Sequence, residues 1–325
     1  MDALSDVLRA VSLRGAIFFD VRASDPWAAE TPAGRQIVGR MFPGADHLIC
    51  YHAITRGACW ASLAGEAPLQ LGAGDIVVIP HGDAHVLSTA PGMRGAEDLE
   101  RYRAPSEVEL PVRLSVGANG QESAGFVCGF LACDARPYNP LLGALPRIFK
   151  ISDAVDGRLA AYVQIALAES KRPRIGSDGV LGRLSELMFV DVIRRYLEMQ
   201  PAGRVDWLAG LRDPHIGRAL AHLHRDPGEA WTLERLAAVA AMSRSAFAEH
   251  FTRFVGIAPI EYLTQWRMQI AAKALASSRD SIGAIANRVG YESEAAFSRA
   301  FKKVVGTPPG AWRDSHGYQG SVAPS

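Results

Sequence analysis

The stretch GDIVVIPHGDAH, residues 74–85, sets His81 and His85 in a turn behind four consecutive apolar residues of a strand. Imidazoles at a strand end suit metal ligation, or hydrogen bonding within a turn that Gly82 and Asp83 would make. His52 in CYHAI and Cys128 in FVCGFLAC extend the first reading. With His85 they form a mixed nitrogen and sulfur set of the kind zinc favours, so His52, His81, His85 and Cys128 are candidate effector or metal residues. Cys128 and Cys133 are candidates for a redox pair. Five residues along one strand would put them on opposite faces, so a disulfide would need a bulge or turn between them. The plainer reading of the cysteines is small buried hydrophobes. Trp60, Phe126 and Phe130 either line an apolar pocket or simply fill the core.

These groups need elements to hold them. The chain has 325 residues, of which 48% are hydrophobic, enough for two domains with a core each. Over the first 150 or so residues, short runs such as HLICYHAI, ACWASLA, DIVVIP and GFVCGFLAC lie between Gly, Pro and Asp, a pattern of strands in a sandwich or barrel. Beyond Pro146 the spacing becomes helical: 152–170 and 177–199 carry apolar residues three and four apart behind Ser/Asp caps. The second helix has a wide apolar face (Val180, Leu181, Leu184, Leu187, Met188, Val192, Tyr196) that needs a large partner surface, in its own domain or in a second copy. MQPAGRVD, 199–206, has linker composition, and the chain is expected to be helical from there to Arg313. The N-terminus reads as a short amphipathic helix and not a signal peptide, and no apolar run is long enough to span a membrane, so the expected location is the cytoplasm.

Charge is uneven. Trp231 to Arg313 holds 11 Lys+Arg against 6 Asp+Glu, a net of +5, whereas the remainder has 24 against 28, or −4. A basic C-terminal part points to a polyanion.

That part is duplicated. SRSAFAEHFTRFVGIAP (243–259) and SEAAFSRAFKKVVGTPP (293–309) are offset by 50 residues and identical at 7 of 17 positions. An Ala-rich short helix precedes each, capped by Thr232 or Ser281, and a tight turn leads into a Ser-capped second helix, the layout of a helix-turn-helix. Small residues (Ala237, Ala240, Ala241; Ala284, Ala286, Gly290) let the paired helices approach. Phe247 and Phe251, and Phe297 and Phe301, lie four apart on the buried side. The outward residues are then Arg244, Ser245, Ala248, Glu249, Thr252 and Arg253 in the first unit, and Glu294, Ala295, Ser298, Arg299, Lys302 and Lys303 in the second. Arg299 suits guanine and Glu249 cytosine N4, while Arg253, Lys302 and Lys303 suit phosphates. A connecting helix with Tyr262, Leu263, Trp266, Ile270 and Leu275 packs against both units and fixes their spacing. Two recognition helices about one DNA turn apart (~34 Å) would enter successive major grooves.

The paired units, the connector QWRMQIAAKAL and the ending GYESEAAFSRAFKKVVGTPPGAWR resemble the AraC-type transcription regulators over roughly residues 215–314. The resemblance implies promoter binding, usually as a homodimer, contact with RNA polymerase, activator-type regulation, and control by an N-terminal sensory domain. Ala248 and Glu249 depart from it, because family members often place long polar or basic side chains there. The spacing of Gly74, Pro80, Gly82 and His85 resembles the second motif of the cupin barrels, in which the His is a metal ligand. Their first motif, with His-x-His and Glu, has no counterpart here: CYHAITRGACWASLAG offers only His52, no acid precedes Glu66, and Thr89 replaces the usual Asn. An iron site needs two or three His with a carboxylate, so oxygenase chemistry is not expected.

The expected architecture is thus α+β and multidomain: an N-terminal cupin-like β-barrel or sandwich (1–150), a helical dimerisation segment (151–198), a linker (199–212), an all-α double helix-turn-helix domain (213–316) and a flexible tail (317–325). The expected function is a DNA-binding regulator, not an enzyme, answering a small-molecule, metal or redox effector, with zinc as a possible ion. The alternative is a metal-dependent cupin dioxygenase or isomerase carrying a helical appendage.

Overall fold

The computed structural model of the protein describes residues 3–11, 13–104, 107–108, 110–118, 120–152, 157–172, 174–201 and 203–316. Its contacts divide it into two compact units, one of Leu13–Cys133 with Leu145–Gln200, the other of Met1–Ser12, Asp134–Ala144 and Pro201–Ser325. This division differs from the boundaries at 150, 198 and 212. The helices of 151–198 group with the strands, and two short N-terminal stretches group with the C-terminal helices. The tail 317–325 lies outside the described residues.

The first unit contains nine strands among the described residues: β1 (Arg14–Ser24), β2 (Ala28–Thr31), β3 (His47–Leu63), β4 (Leu69–Gly72), β5 (Asp75–Ile79), β6 (His85–Ser88), β7 (Val112–Gly117), β8 (Glu122–Cys133) and β9 (Phe149–Ser152). The backbone order is β2-β6-β3-β8-β1-β7, with β4 and β5 also on β3, and β9 on β5. Long β3 organises the unit: its first half pairs with β5 and β8, and its second half with β4 and β6. A register shift between Ile54 and Arg56 lies between the two halves.

Strand alternation assigns the faces of β3 and β8. Cys50, His52, Cys128 and Phe130 share one side, since His52 opposes Cys128 and Cys50 opposes Phe130. Tyr51 lies on the other side, across Gly129, where an added Cβ would come within 1.9 Å of the Tyr51 ring. Tyr51 Oη lies 2.8 Å from Ser185 Oγ, so that face meets a helix.

The helix is α5 (Ser177–Met199), which packs with α4 (Arg158–Lys171) and on β1; the unit also has α2 (Gly34–Met41). Leu181, Met188, Val192 and Tyr196 are buried, while Val180 and Leu187 remain 42% and 43% exposed. The wide apolar face is therefore divided: one side seals the sheet, the other is free. The expected Ser/Asp caps are not the caps found. Left-handed Gly157 and Gly176 precede α4 and α5. Ser177 begins α5 itself, and its hydroxyl accepts from Arg174 N–H and donates to Glu169. Asp153 lies outside the described residues.

The second unit holds α1 (Ala3–Ala10), α3 (Pro140–Ala144), α6 (Trp207–Arg212), α7 (Ile216–Arg225), α8 (Leu233–Val239), α9 (Arg244–Val255), α10 (Pro259–Ser277), α11 (Ile282–Arg288), α12 (Glu294–Val305) and α13 (Pro309–His316). Thr232, Ser243, Ser281 and Ser293 cap α8, α9, α11 and α12, each accepting the N–H three residues on. Each such cap contributes about 1 kcal/mol. Phe247 and Phe251 are buried in the first helix pair, and Phe297 and Phe301 in the second. Connector α10 buries Tyr262, Leu263, Trp266 and Leu275 as expected, whereas Ile270 is only partly buried.

Two of the small residues have other roles. Ala284 is exposed, and Ala241 is exposed with φ +53, forming the first turn in the left-handed region. Gly290 (φ +82) forms the second turn, where a Cβ would lie 2.5 Å from Gly228 O. Arg267 joins the two halves, donating to Pro227 O at 2.7 Å and Glu229 O at 2.8 Å with its guanidinium 5.8 Å from the Tyr291 ring centroid.

Helix α1 packs against α7 and α10. Buried Gln269 on α10 donates to Ala10 O at 3.3 Å and accepts from Tyr138 N–H at 3.0 Å, which holds both N-terminal stretches on the connector. Neither contact has a local sequence signal, because each joins residues more than a hundred apart.

Candidate functional site

Helices α9 and α12 carry the residues singled out as candidates for a nucleic-acid interface. Burying the Phe pair of each helix turns the opposite face to solvent. In α9, Arg244, Ser245, Glu249, Thr252 and Arg253 are exposed and Ala248 is half-buried; in α12, Glu294, Ala295, Arg299, Lys302 and Lys303 are exposed and Ser298 is half-buried. The units differ electrostatically. Arg244 at the start of α9 is ion-paired with Glu234 on α8 at 3.2 Å. Such an exposed pair contributes about 0–1 kcal/mol, so a phosphate can compete for Arg244.

The strand unit brings three of its four singled-out residues together. His85 is the first residue of β6, His52 lies mid-β3, and Cys128 lies directly across on β8. The turn before His85 is made by Gly82 (φ +63), where a side chain would meet Leu48 O at 2.6 Å. His81 is exposed and points elsewhere, its Nε2 lying 3.0 Å from Leu145 O.

A chain of hydrogen bonds links the buried three. His85 Nδ1 lies 2.7 Å from Asp83 O, a carbonyl that only accepts, so Nδ1 carries the proton. Burial lowers the His85 pKa to about 4 and holds His52 well below the usual imidazole range, so both rings are neutral at pH 7. His85 Nε2 must then accept, and His52 Nε2–H donates to it at 2.7 Å. This leaves His52 Nδ1 as an acceptor for the Cys128 thiol at 3.0 Å. Burial also pushes the Cys128 thiol well above its ordinary pKa, so the resting pair is thiol and imidazole.

This geometry does not fit one metal ion bound by the expected set. His52 turns opposite ring nitrogens to Cys128 and His85, so the three donors do not converge. Among the described residues no group of three or more His, Cys, Asp or Glu is placed to hold a metal. The redox pair is corrected too. β8 runs unbroken from Cys128 to Cys133 and keeps register with His52 to His47 on β3. Five residues of strand span roughly 16 Å, far beyond disulfide reach.

The triad ends at a cavity of about 60 Å³ lined by Phe19, Tyr102, Phe126 and Phe130 together with His52 and Cys128. Phe126 and Phe130 are thus wall residues, while Trp60 is not among the lining residues. Phe19 and Tyr102 escape sequence reasoning, because they arrive from β1 and the loop before β7 with no shared motif. Glu30, Asp98 and the exposed Arg101 bring charge to the wall, so its lining is mixed.

A β-barrel with a small internal cavity, on the same chain as duplicated capped helix-turn-helix units, defines a DNA-binding regulator with a cupin domain. Comparison with known proteins agrees. The profile described as Cupin matches residues 2–198, and that described as Helix-turn-helix domain matches 236–315. A putative AraC-like transcription regulator of Streptomyces lividans is 34% identical over 96% of this chain and 98% of its own length. The HTH-type transcriptional regulator AlkR of Acinetobacter baylyi is 29% identical over 96% and 99%, and the RCS-specific HTH-type transcriptional activator RclR of Escherichia coli is 27% identical over 97% and 98%. The chain belongs to the AraC-type transcription regulators with an N-terminal cupin domain.

Proposed function

We propose that α9 and α12 enter successive major grooves of promoter DNA and that a signal received in the barrel cavity changes this binding. The observation that carries the reading is the pair of Ser-capped helices with exposed polar and basic faces, held on one connector. In α12, Arg299 reads guanine while Lys302 and Lys303 hold phosphates; in α9, Glu249 accepts from cytosine and Arg253 meets the backbone. The protein acts in the cytoplasm as a regulator, not an enzyme, and meets RNA polymerase at its promoter. Exposed Val180 and Leu187, with half-buried Leu184 between them at i, i+4 and i+7 on α5, support a homodimer, since exposed apolar side chains on one helix face mark association sites.

Binding-site selection with the full chain, followed by footprinting, tests the reading. The expected result is one preferred duplex protected over two adjacent major grooves. Equal affinity for all sequences would refute it. Light scattering should give a dimer at micromolar concentration, and Leu187→Glu should give a monomer; a monomeric wild-type chain would remove the dimer from the reading.

A further inference from the structure

We infer that Cys128 is a covalent capture site for a small uncharged α,β-unsaturated carbonyl compound, with His52 as its base and His85 as the residue that orients the base. The inference rests on the reading of the barrel as a sensor and names the chemistry of its signal.

A nucleophile, a base within hydrogen-bond reach and a third group fixing the base together form the arrangement that activates a side chain for attack. Here Cys128 Sγ lies 3.0 Å from His52 Nδ1, His52 Nε2 lies 2.7 Å from His85 Nε2, and His85 Nδ1 lies 2.7 Å from Asp83 O. Cys50, Cys59 and Cys133 are also buried, and none of them is among the residues lining the cavity. Cys128 does line it, so a reagent there can meet the thiol.

The cavity selects the reagent. Room of about 60 Å³ corresponds to roughly four waters, so only a molecule of a few heavy atoms fits. Beside Cys128 the wall is made by Phe126 and Phe130, two residues away on either side of it along β8, which give a desolvated charge no partner there, although Glu30, Asp98 and Arg101 also line the cavity. The same argument chooses among neutral electrophiles. Substitution at carbon would leave an imidazolium and a released anion beside the Phe126 and Phe130 rings. Conjugate addition leaves no net charge: the S–H bond breaks, its proton passes to His52 Nδ1, sulfur bonds the β-carbon as the C=C π bond opens, and Nδ1 returns the proton to the α-carbon. The raised thiol pKa keeps the resting group protonated, so attack depends on His52 taking the proton and the thiol stays unreactive toward reagents that remain in water.

The test treats the native full chain with substoichiometric acrolein and maps the adduct by peptide mass spectrometry. The expected first adduct is on Cys128, absent in Cys128→Ser, and formed about 100-fold more slowly in His52→Gln, within the range ascribed to a positioned base. Leu114→Trp, which narrows the cavity at a half-buried wall position and leaves the dyad intact, should also slow it. Equal labelling of Cys50, Cys59, Cys128 and Cys133, or an unchanged rate in both His52→Gln and Leu114→Trp, overturns the inference. Duplex binding by the modified chain is measured separately. Adduct formation on Cys128 with unchanged DNA affinity would overturn the sensory reading while leaving the capture chemistry standing.

Discussion

His52 and His85 face each other Nε2 to Nε2 at 2.7 Å, and the carbonyl of Asp83 at the far end of His85 settles which of them donates. The expected tautomers are Nε2–H on His52 and Nδ1–H on His85. Nitrogen-15 NMR of labelled protein at pH 7 reads them directly. His85→Gln should free the His52 tautomer to change; a His52 ring protonated at Nδ1 in the wild type would refute the hydrogen-bond direction.

A second buried histidine makes the helical unit acid-sensitive. His224 stacks on Trp266 with centroids 4.1 Å apart, its Nε2 lies 2.6 Å from Tyr262 Oη, and burial lowers its pKa to about 3. The unfolded chain, with an ordinary imidazole, binds the proton first as pH falls. Stability from this group is therefore complete above about pH 6.5 and is lost toward pH 3, by about 1.4 kcal/mol per pH unit in that window. Urea unfolding followed by tryptophan fluorescence at pH 6.5, 5.5 and 4.5 measures the slope. His52 and His85 are depressed in the same direction, so His224→Phe should lower the slope by about 1.4 kcal/mol per pH unit without abolishing it, and the same slope in that variant would remove His224 as a cause.

Gly290 and Gly306 separate two costs of a side chain at positive φ. Both are left-handed, at φ +82 and +91, but only at Gly290 would a Cβ strike backbone, 2.5 Å from Gly228 O; Gly306 has open space. Gly306→Ala should cost about 1 kcal/mol from conformation alone. Gly290→Ala should add about 1–3 kcal/mol from the clash and loosen the turn before α12. Equal thermal shifts in the two variants would show that the contact with Gly228 is not tight.

Arg299 and Lys303 lie four residues apart on one exposed face, but they should fail in different ways. Arg299→Ala is expected to cost about 1–3 kcal/mol on the selected duplex and relax one base position. Lys303→Ala should weaken all duplexes alike and lower the salt dependence by about one ion. Fluorescence anisotropy over a salt series distinguishes them. If Arg299→Ala also weakened all sequences equally, Arg299 would be a phosphate contact.

Much of the helical half was legible from local pattern. The 50-residue repeat, the caps at Thr232, Ser243, Ser281 and Ser293, and the Phe pairs are set within a few residues of one another, and helix formation is local. Their outward faces follow from the same periodicity. Less legible was the work of individual small residues: Ala241 and Ala284 look alike in an Ala-rich string, yet one makes a left-handed turn and the other faces solvent. The apolar stripe of α5 predicted a large partner, and only the sheet beneath it showed which half of the stripe was already covered.

Residue types alone singled out His52, His85 and Cys128, because imidazoles and a thiol are few in this chain and stand in strand-like runs. What sequence could not provide was their mutual direction. That depends on the register of β3 against β8 and on the turn at Gly82, which set opposite nitrogens of His52 toward different partners. Donors that would suit one metal ion by composition become a line of hydrogen bonds at the wall of a cavity, and Cys128 and Cys133 are held apart by an unbroken strand. Periodicity within a segment determined the paired helices α8, α9, α11 and α12, their caps and their exposed faces. Strand pairing between distant segments decided the chemistry, because orientation at the scale of a hydrogen bond is a property of register and not of spacing along the chain.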